Sequence, residues 1–118
     1  MVILGILAVI AVPKFIDLTQ QAKISTTQAH LGNIRSALIM VYAQNASQGT
    51  PVYPSSLTSA SFQDGGLPVN RLTGKTGIGT VVSAPSGTAT NSTDGFWYIQ
   101  ATGQAGAYSD GTVDTSSW

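Results

Sequence analysis

The chain has 118 residues, the size of a single domain, and 42% of them are hydrophobic, enough to supply one core. Five Lys and Arg balance five Asp, and there is no Glu, so the surface lacks the charge that would attract a polyanion such as nucleic acid. The absence of Cys excludes disulfides and thiolate metal sites.

The first predicted element is an uncharged apolar segment, residues 1–12, which Phe15 and Ile16 continue beyond Lys14. A helix that is apolar on every side must be buried all round, in lipid or among other helices. A helix of about 12–16 residues reaches only about 18–24 Å, short of the roughly 30 Å hydrocarbon core of a bilayer. We therefore expect Met1 to lie inside a longer helical segment. A cleaved signal peptide and a buried globular helix are the alternatives.

The helical pattern continues and becomes amphipathic. Pro13 removes one backbone hydrogen bond, which predicts a kink or a locally melted turn there. Stop signals follow at residues 45–51. One helix is predicted from Val2 to about Ala46, with residues 1–23 as an apolar segment and residues 24–118 as a globular head. Apolar residues recur at helical spacing along one face of its second half, namely Ile24, Leu31, Ile34, Leu38, Val41 and Tyr42.

Residues after the helix must pack on this apolar stripe to bury it. Residues 49–80 are rich in turn formers and predict a long loop, with a helical turn at residues 55–62. Hairpin turns are predicted at Thr102-Gly103 and Asp110-Gly111. A small antiparallel sheet packed on the stripe gives an α+β roll. Its three strand candidates are residues 79–84, 95–101 and 104–109.

The aromatic run Phe96-Trp97-Tyr98 alternates between the two sides of the second strand candidate. We expect one side to pack in the core and the other to face solvent. Base stacking by this run would require basic neighbours, which it lacks.

Residues suited to catalysis or metal binding are few. His30 is the only histidine and lies among polar neighbours in the predicted helix, which favours a surface or interface role over that of a base. Asp110 and Asp114 are weak candidates for a calcium site, and an ordinary Asp-Gly turn is the favoured interpretation. Arg71 and Lys75 are too few for a nucleic-acid patch. We therefore predict no enzymatic activity, no cofactor and no nucleic-acid partner.

The run from Val2 to Phe15 closely resembles the second half of the N-terminal segment shared by type IV pilins and type II secretion pseudopilins. The most specific feature is Gly5, eight residues before Pro13. Residues 67–74 and 95–103 resemble the family more weakly. In that family a leader ending in Gly and a mature opening Phe-Thr-Leu-Ile-Glu-Leu come before this run, so we expect the corresponding residues to precede Met1.

This resemblance implies the structural subunit of a type IV pilus-like helical filament. After leader cleavage and N-terminal methylation, such a subunit is stored in the bacterial inner membrane, and assembly machinery then packs its copies into an extracellular pilus. The alternative is a pseudopilin of a periplasm-spanning pseudopilus that drives protein export. A pilus is favoured because neither an acidic calcium loop nor a Pro-Trp-Gly segment is clear. The residues that would pack the filament core are Val2, Ile3, Leu4, Gly5, Ile6, Leu7, Val9, Ile10, Pro13 and Phe15.

Overall fold

A computed structural model of the chain describes the backbone of residues 2–62 and 65–118, and the side chains of positions 2, 3, 5 and 6 and of those from Leu18 onward within these ranges. The molecule measures 72 × 29 × 22 Å. Its long dimension matches the roughly 69 Å expected of a 46-residue helix. The elements are helix α1 (Val2–Ser47), a 3₁₀ turn (Ser59–Ser61) and strands β1 (Gly77–Thr80), β2 (Asp94–Tyr98) and β3 (Ala105–Ala107).

The predicted long helix and the general α+β layout are confirmed. Helix α1 ends within one residue of the predicted position, and Gly49 follows it with a φ of +88°, a conformation that glycine adopts without strain. The helical turn predicted at residues 55–62 is reduced to the 3₁₀ turn. Helix α1 runs without a break through Pro13, so a locally melted turn there is wrong, whereas the kink stays a prediction.

One face of α1 carries the main core, as its periodicity predicts. Leu31, Ile34 and Leu38 are almost completely buried. They pack in one cluster with Phe96 and Tyr98 of β2. Other members of this cluster are Leu57, Ala105 and Ala107, with Tyr53, Phe62, Ile78 and Trp118 packed against it.

Strand β2 lies between the other two strands. It pairs antiparallel with β3 through the hairpin predicted at Thr102-Gly103, where Gly103 has a φ of +74°. It pairs parallel with β1, so the predicted all-antiparallel sheet is wrong. Parallel neighbours need a crossover of about a dozen residues, and residues 81–93 supply it.

The crossover covers the second face of the sheet. Trp97, Ile99 and Tyr108 form a separate buried cluster there, and Val81 and Ala89 of the crossover pack against it. The prediction that one side of the aromatic run faces solvent is therefore wrong. Across the hairpin, Trp97 is paired with Gly106, where a β-carbon would lie 2.2 Å from the indole Cζ2.

Two further sequence expectations need correction. The first strand ends at Thr80 rather than Ala84, and Val82 beyond it is 98% exposed. Asp110 and Gly111 form a turn after β3, but within residues 65–118 no strand follows that turn, so it does not close a hairpin.

Asn70 joins the long loop to the sheet. Its side chain is completely buried, and its Nδ2 donates to the carbonyls of Gly95 at 2.6 Å and Tyr108 at 2.8 Å. Its Oδ1 accepts from the backbone N–H of Leu72 at 3.0 Å. Gly95 permits this approach, because a β-carbon there would lie 2.7 Å from that of Asn70. One carboxamide thus holds the loop, β2 and the residue after β3 together.

Replacing Asn70 with Ala removes the side-chain donor to the Tyr108 carbonyl and the acceptor for the N–H of Leu72, whereas the Gly95 carbonyl keeps the N–H of Tyr108. We expect the free energy of unfolding to fall by about 2–4 kcal/mol. Urea denaturation of the full chain in detergent micelles, followed by the fluorescence of Trp97 and Trp118, measures the change. The matched control is Asn33→Ala at an exposed position of α1, where we expect a change below about 0.5 kcal/mol. Equal effects of the two substitutions would contradict the role given to Asn70.

Candidate functional site

The first part of α1 extends beyond the contacts of the head. Val2, Ile3 and Ile6 are exposed by 77%, 74% and 57%, and Leu18 by 59%. Gly5 has no non-helical atom near the position of a β-carbon. Four predicted assembly residues, Val2, Ile3, Gly5 and Ile6, therefore lie on helix surface that the described residues leave uncovered. The others, Leu4, Leu7, Val9, Ile10, Pro13 and Phe15, have side chains outside the described ones.

Large apolar side chains are also exposed on the part of α1 that carries the head. Ile39 and Met40 are 63% and 59% exposed. They follow the buried Leu38 by one and two residues, and each residue turns an α-helix by about 100°. Both therefore point away from the face that packs on the sheet. The uncovered apolar surface of α1 thus includes both ends of the helix.

Polar contacts fix the head on α1. Thr27 is completely buried, and its Oγ1 accepts from the N–H of Arg71 at 3.0 Å. His30 contacts the carbonyl of Val69 through Nδ1 at 2.7 Å. A carbonyl only accepts, so Nδ1 carries the proton in this contact. His30 is thus an attachment point for the loop, and its predicted surface or interface role stays a prediction.

Arg35 makes the third attachment. Its Nη2 donates to the carbonyls of Ala105 at 3.0 Å and Trp118 at 2.6 Å. These contacts tie β3 and residue 118 to the helix across 70 and 83 positions of sequence. Sequence reasoning did not single out Arg35, Thr27 or Asn70, because each bonds to backbone atoms of distant residues. No spacing pattern marks such contacts.

Asp110 and Asp114 each stabilise their own turn. The Oδ1 of Asp110 accepts from the hydroxyl of Thr112 at 2.6 Å and from its N–H at 2.9 Å. Asp114 accepts from the N–H of Ser116 at 2.9 Å. These bonds lower the pKa of both carboxyl groups, that of Asp110 chiefly through the Thr112 hydroxyl and that of Asp114 through Ser116.

Among the described residues there is no group of three or more His, Cys, Asp or Glu side chains that could hold a metal ion. Arg71 is exposed and Lys75 half-buried, and both belong to the turn that Asn70 begins. The described part of the chain also has no helix that is both long and apolar enough to cross a membrane. The main candidate for a functional surface is therefore the exposed apolar start of α1, next to a head with a buried core.

Comparisons with protein-family models, with curated proteins and with solved structures find no match to this chain.

The Asp110 turn makes stability depend on pH. Because its pKa is lowered in the folded chain, the folded state binds this proton less readily than the unfolded state does. The stabilisation is therefore present above the ordinary aspartate pKa near about 4 and is lost as the pH falls through the lower folded-state value. We expect Asp110→Asn to be less stable than the parent chain at pH 7 and to approach it near pH 2.

Urea denaturation at several pH values measures this difference. The matched control is Thr112→Val, which removes the hydroxyl donor but keeps the charge. We expect it to show a smaller part of the same pH-dependent loss. A difference between Asp110→Asn and the parent that stays constant from pH 7 to pH 2 would contradict this account.

Proposed function

We propose that this chain is the structural subunit of a helical filament of the type IV pilin kind. The observation that carries the proposal is the exposed apolar start of α1, where Val2, Ile3 and Ile6 have no cover within the described chain. In this proposal the chain acts by packing against other copies and not by catalysis. The chain is stored with this segment in the inner membrane and is then assembled with other copies into a filament outside the cell.

The energy of burial supports this proposal. Fully burying a Val, Leu or Ile side chain stabilises by about 1.5–3 kcal/mol relative to leaving it in water. The exposed side chains of Val2, Ile3, Ile6 and Leu18 together offer several kcal/mol to any apolar partner. Lipid and the helices of neighbouring copies are both such partners, so one surface serves storage and assembly in turn.

The difference between the two halves of α1 also supports the filament proposal. From Thr27 to Leu38 one face of the helix is covered by the loop and the sheet of the same chain, so this face needs no other partner. The sequence before Lys14 is uncharged, so it suits a filament core from which water is excluded. A helix laid on a small sheet agrees with a pilin-like roll, which is part of the proposal.

A single charge at the start of α1 tests the packing. We expect Ile6→Asp to abolish filaments, because a carboxylate in an apolar helical bundle costs several kcal/mol. Electron microscopy of material sheared from the native host measures this, with immunoblots to check that each variant accumulates. The matched control is Val82→Asp on the exposed crossover, which should leave filaments unchanged. The proposal would be contradicted by normal filaments from the Ile6→Asp strain, or by a parent strain that yields only monomers.

A pilus and a secretion pseudopilus would use the same helix packing, so a cellular test must separate them. Deleting the gene should remove surface filaments and leave the export of extracellular enzymes unchanged. Activity assays on the culture supernatant, alongside microscopy of the same cells, measure both effects. Loss of exported enzymes with no loss of surface filaments would instead assign the chain to a pseudopilus.

A further inference from the structure

A groove opens beside the last turns of α1, between the segment after the helix and the residues after β2. Its volume is about 430 Å³. None of the residues that line it is charged, so the groove offers nothing to a ligand whose recognition requires an ion pair. The lining residues are Tyr42, Pro51, Val52, Tyr53, Gln100 and Ala101.

The aromatic wall of the groove is held in place by its neighbours. The ring centroids of Tyr42 and Tyr53 lie 4.6 Å apart, with the ring planes tilted by 32°. Tyr53 also lies against Gly103, where a β-carbon would come 2.2 Å from the ring Cζ. The side chain of Gln100 donates to the carbonyl of Tyr53 at 3.3 Å. A wall fixed in this way loses little conformational freedom when a ligand binds.

The same wall presents polar groups without partners in the chain. The hydroxyls of Tyr42 and Tyr53 make no hydrogen bond with any residue in the described ranges, and both residues are half-buried. The side-chain oxygen of the exposed Gln100 is also free to accept. The groove therefore offers two tyrosine hydroxyls and one carboxamide oxygen next to the aromatic rings of Tyr42 and Tyr53.

We propose that this groove binds a neutral saccharide. The apolar C–H face of a sugar ring fits against the Tyr42 ring, and sugar hydroxyls fit the free donors and acceptors of Tyr42, Tyr53 and Gln100. A proline-rich peptide also suits aromatic grooves, and its free carbonyls can accept from the tyrosine hydroxyls, but proline has no N–H to donate to the Gln100 oxygen. The proposal does not rest on the filament function, because every lining residue belongs to the head or to the helix end that carries it.

Titration of the ¹⁵N-labelled full chain with neutral sugars tests the proposal. The probes are glucose, galactose, N-acetylglucosamine, lactose and maltose. The chain is held in a phosphocholine detergent, because glucoside detergents would compete for the groove. We expect saturable amide shifts at residues 42, 52, 53, 100 and 101 for at least one of these sugars.

Two variants locate the binding without disturbing the core, because both positions are exposed. Gln100→Ala removes one polar partner of the sugar together with the hydrogen bond to the Tyr53 carbonyl, and should weaken binding by about three- to tenfold. Ala101→Leu fills the groove and should abolish the shifts. Val82→Ala, at an exposed position of the crossover that does not line the groove, is the matched control and should bind as the parent does.

Three results would overturn the saccharide assignment. The first is the absence of saturable shifts for every sugar at about 50 mM, a concentration that detects millimolar affinity. The second is binding that Ala101→Leu leaves unchanged, which would place the sugar elsewhere. The third is saturable binding of a proline-rich peptide at the same residues when no sugar binds.

Discussion

The packing of Phe96 and Tyr98 against α1 is the contact on which the rest of the molecule depends. It buries the Leu31, Ile34 and Leu38 face completely and fixes which side of the helix the head occupies. Every other segment of the head is then placed relative to β2, which has a strand on each side and a cluster on each face. This cover ends near Thr27, and the large apolar side chains of Val2, Ile3, Ile6 and Leu18 before it are exposed.

Without disulfides, the irregular segments are held by side chains that bond to backbone atoms. Asn70, His30 and Arg35 each bind carbonyls of residues far away in sequence. Among the described residues, every buried side-chain polar atom has a partner. This completeness matters because a buried polar group left without a partner costs about 1–3 kcal/mol, which is a large part of a small domain's stability.

Local patterns predicted much of this fold. The helix and its buried stripe follow from apolar spacing, and the β2–β3 hairpin follows from a glycine suited to positive φ. The parallel pairing of β1 was not predictable, because the residues of a strand do not indicate whether it pairs parallel or antiparallel. The path of the crossover decides the orientation. The need of the first part of α1 for an apolar partner was predictable, because residues 1–12 are uncharged and apolar. Asn70, Arg35 and the Tyr53 groove were not, because each is assembled from segments distant in sequence.

The separation between the stripe on α1 and its cover also governs how the chain must be made. Leu38 is followed by roughly 60 residues before Phe96 emerges from the ribosome. At about 5–20 residues per second, the helix is complete for about 3–12 s before the strand that shields it exists. During that interval both halves of α1 present apolar surface, so the nascent chain has an aggregation hazard that the finished head no longer shows.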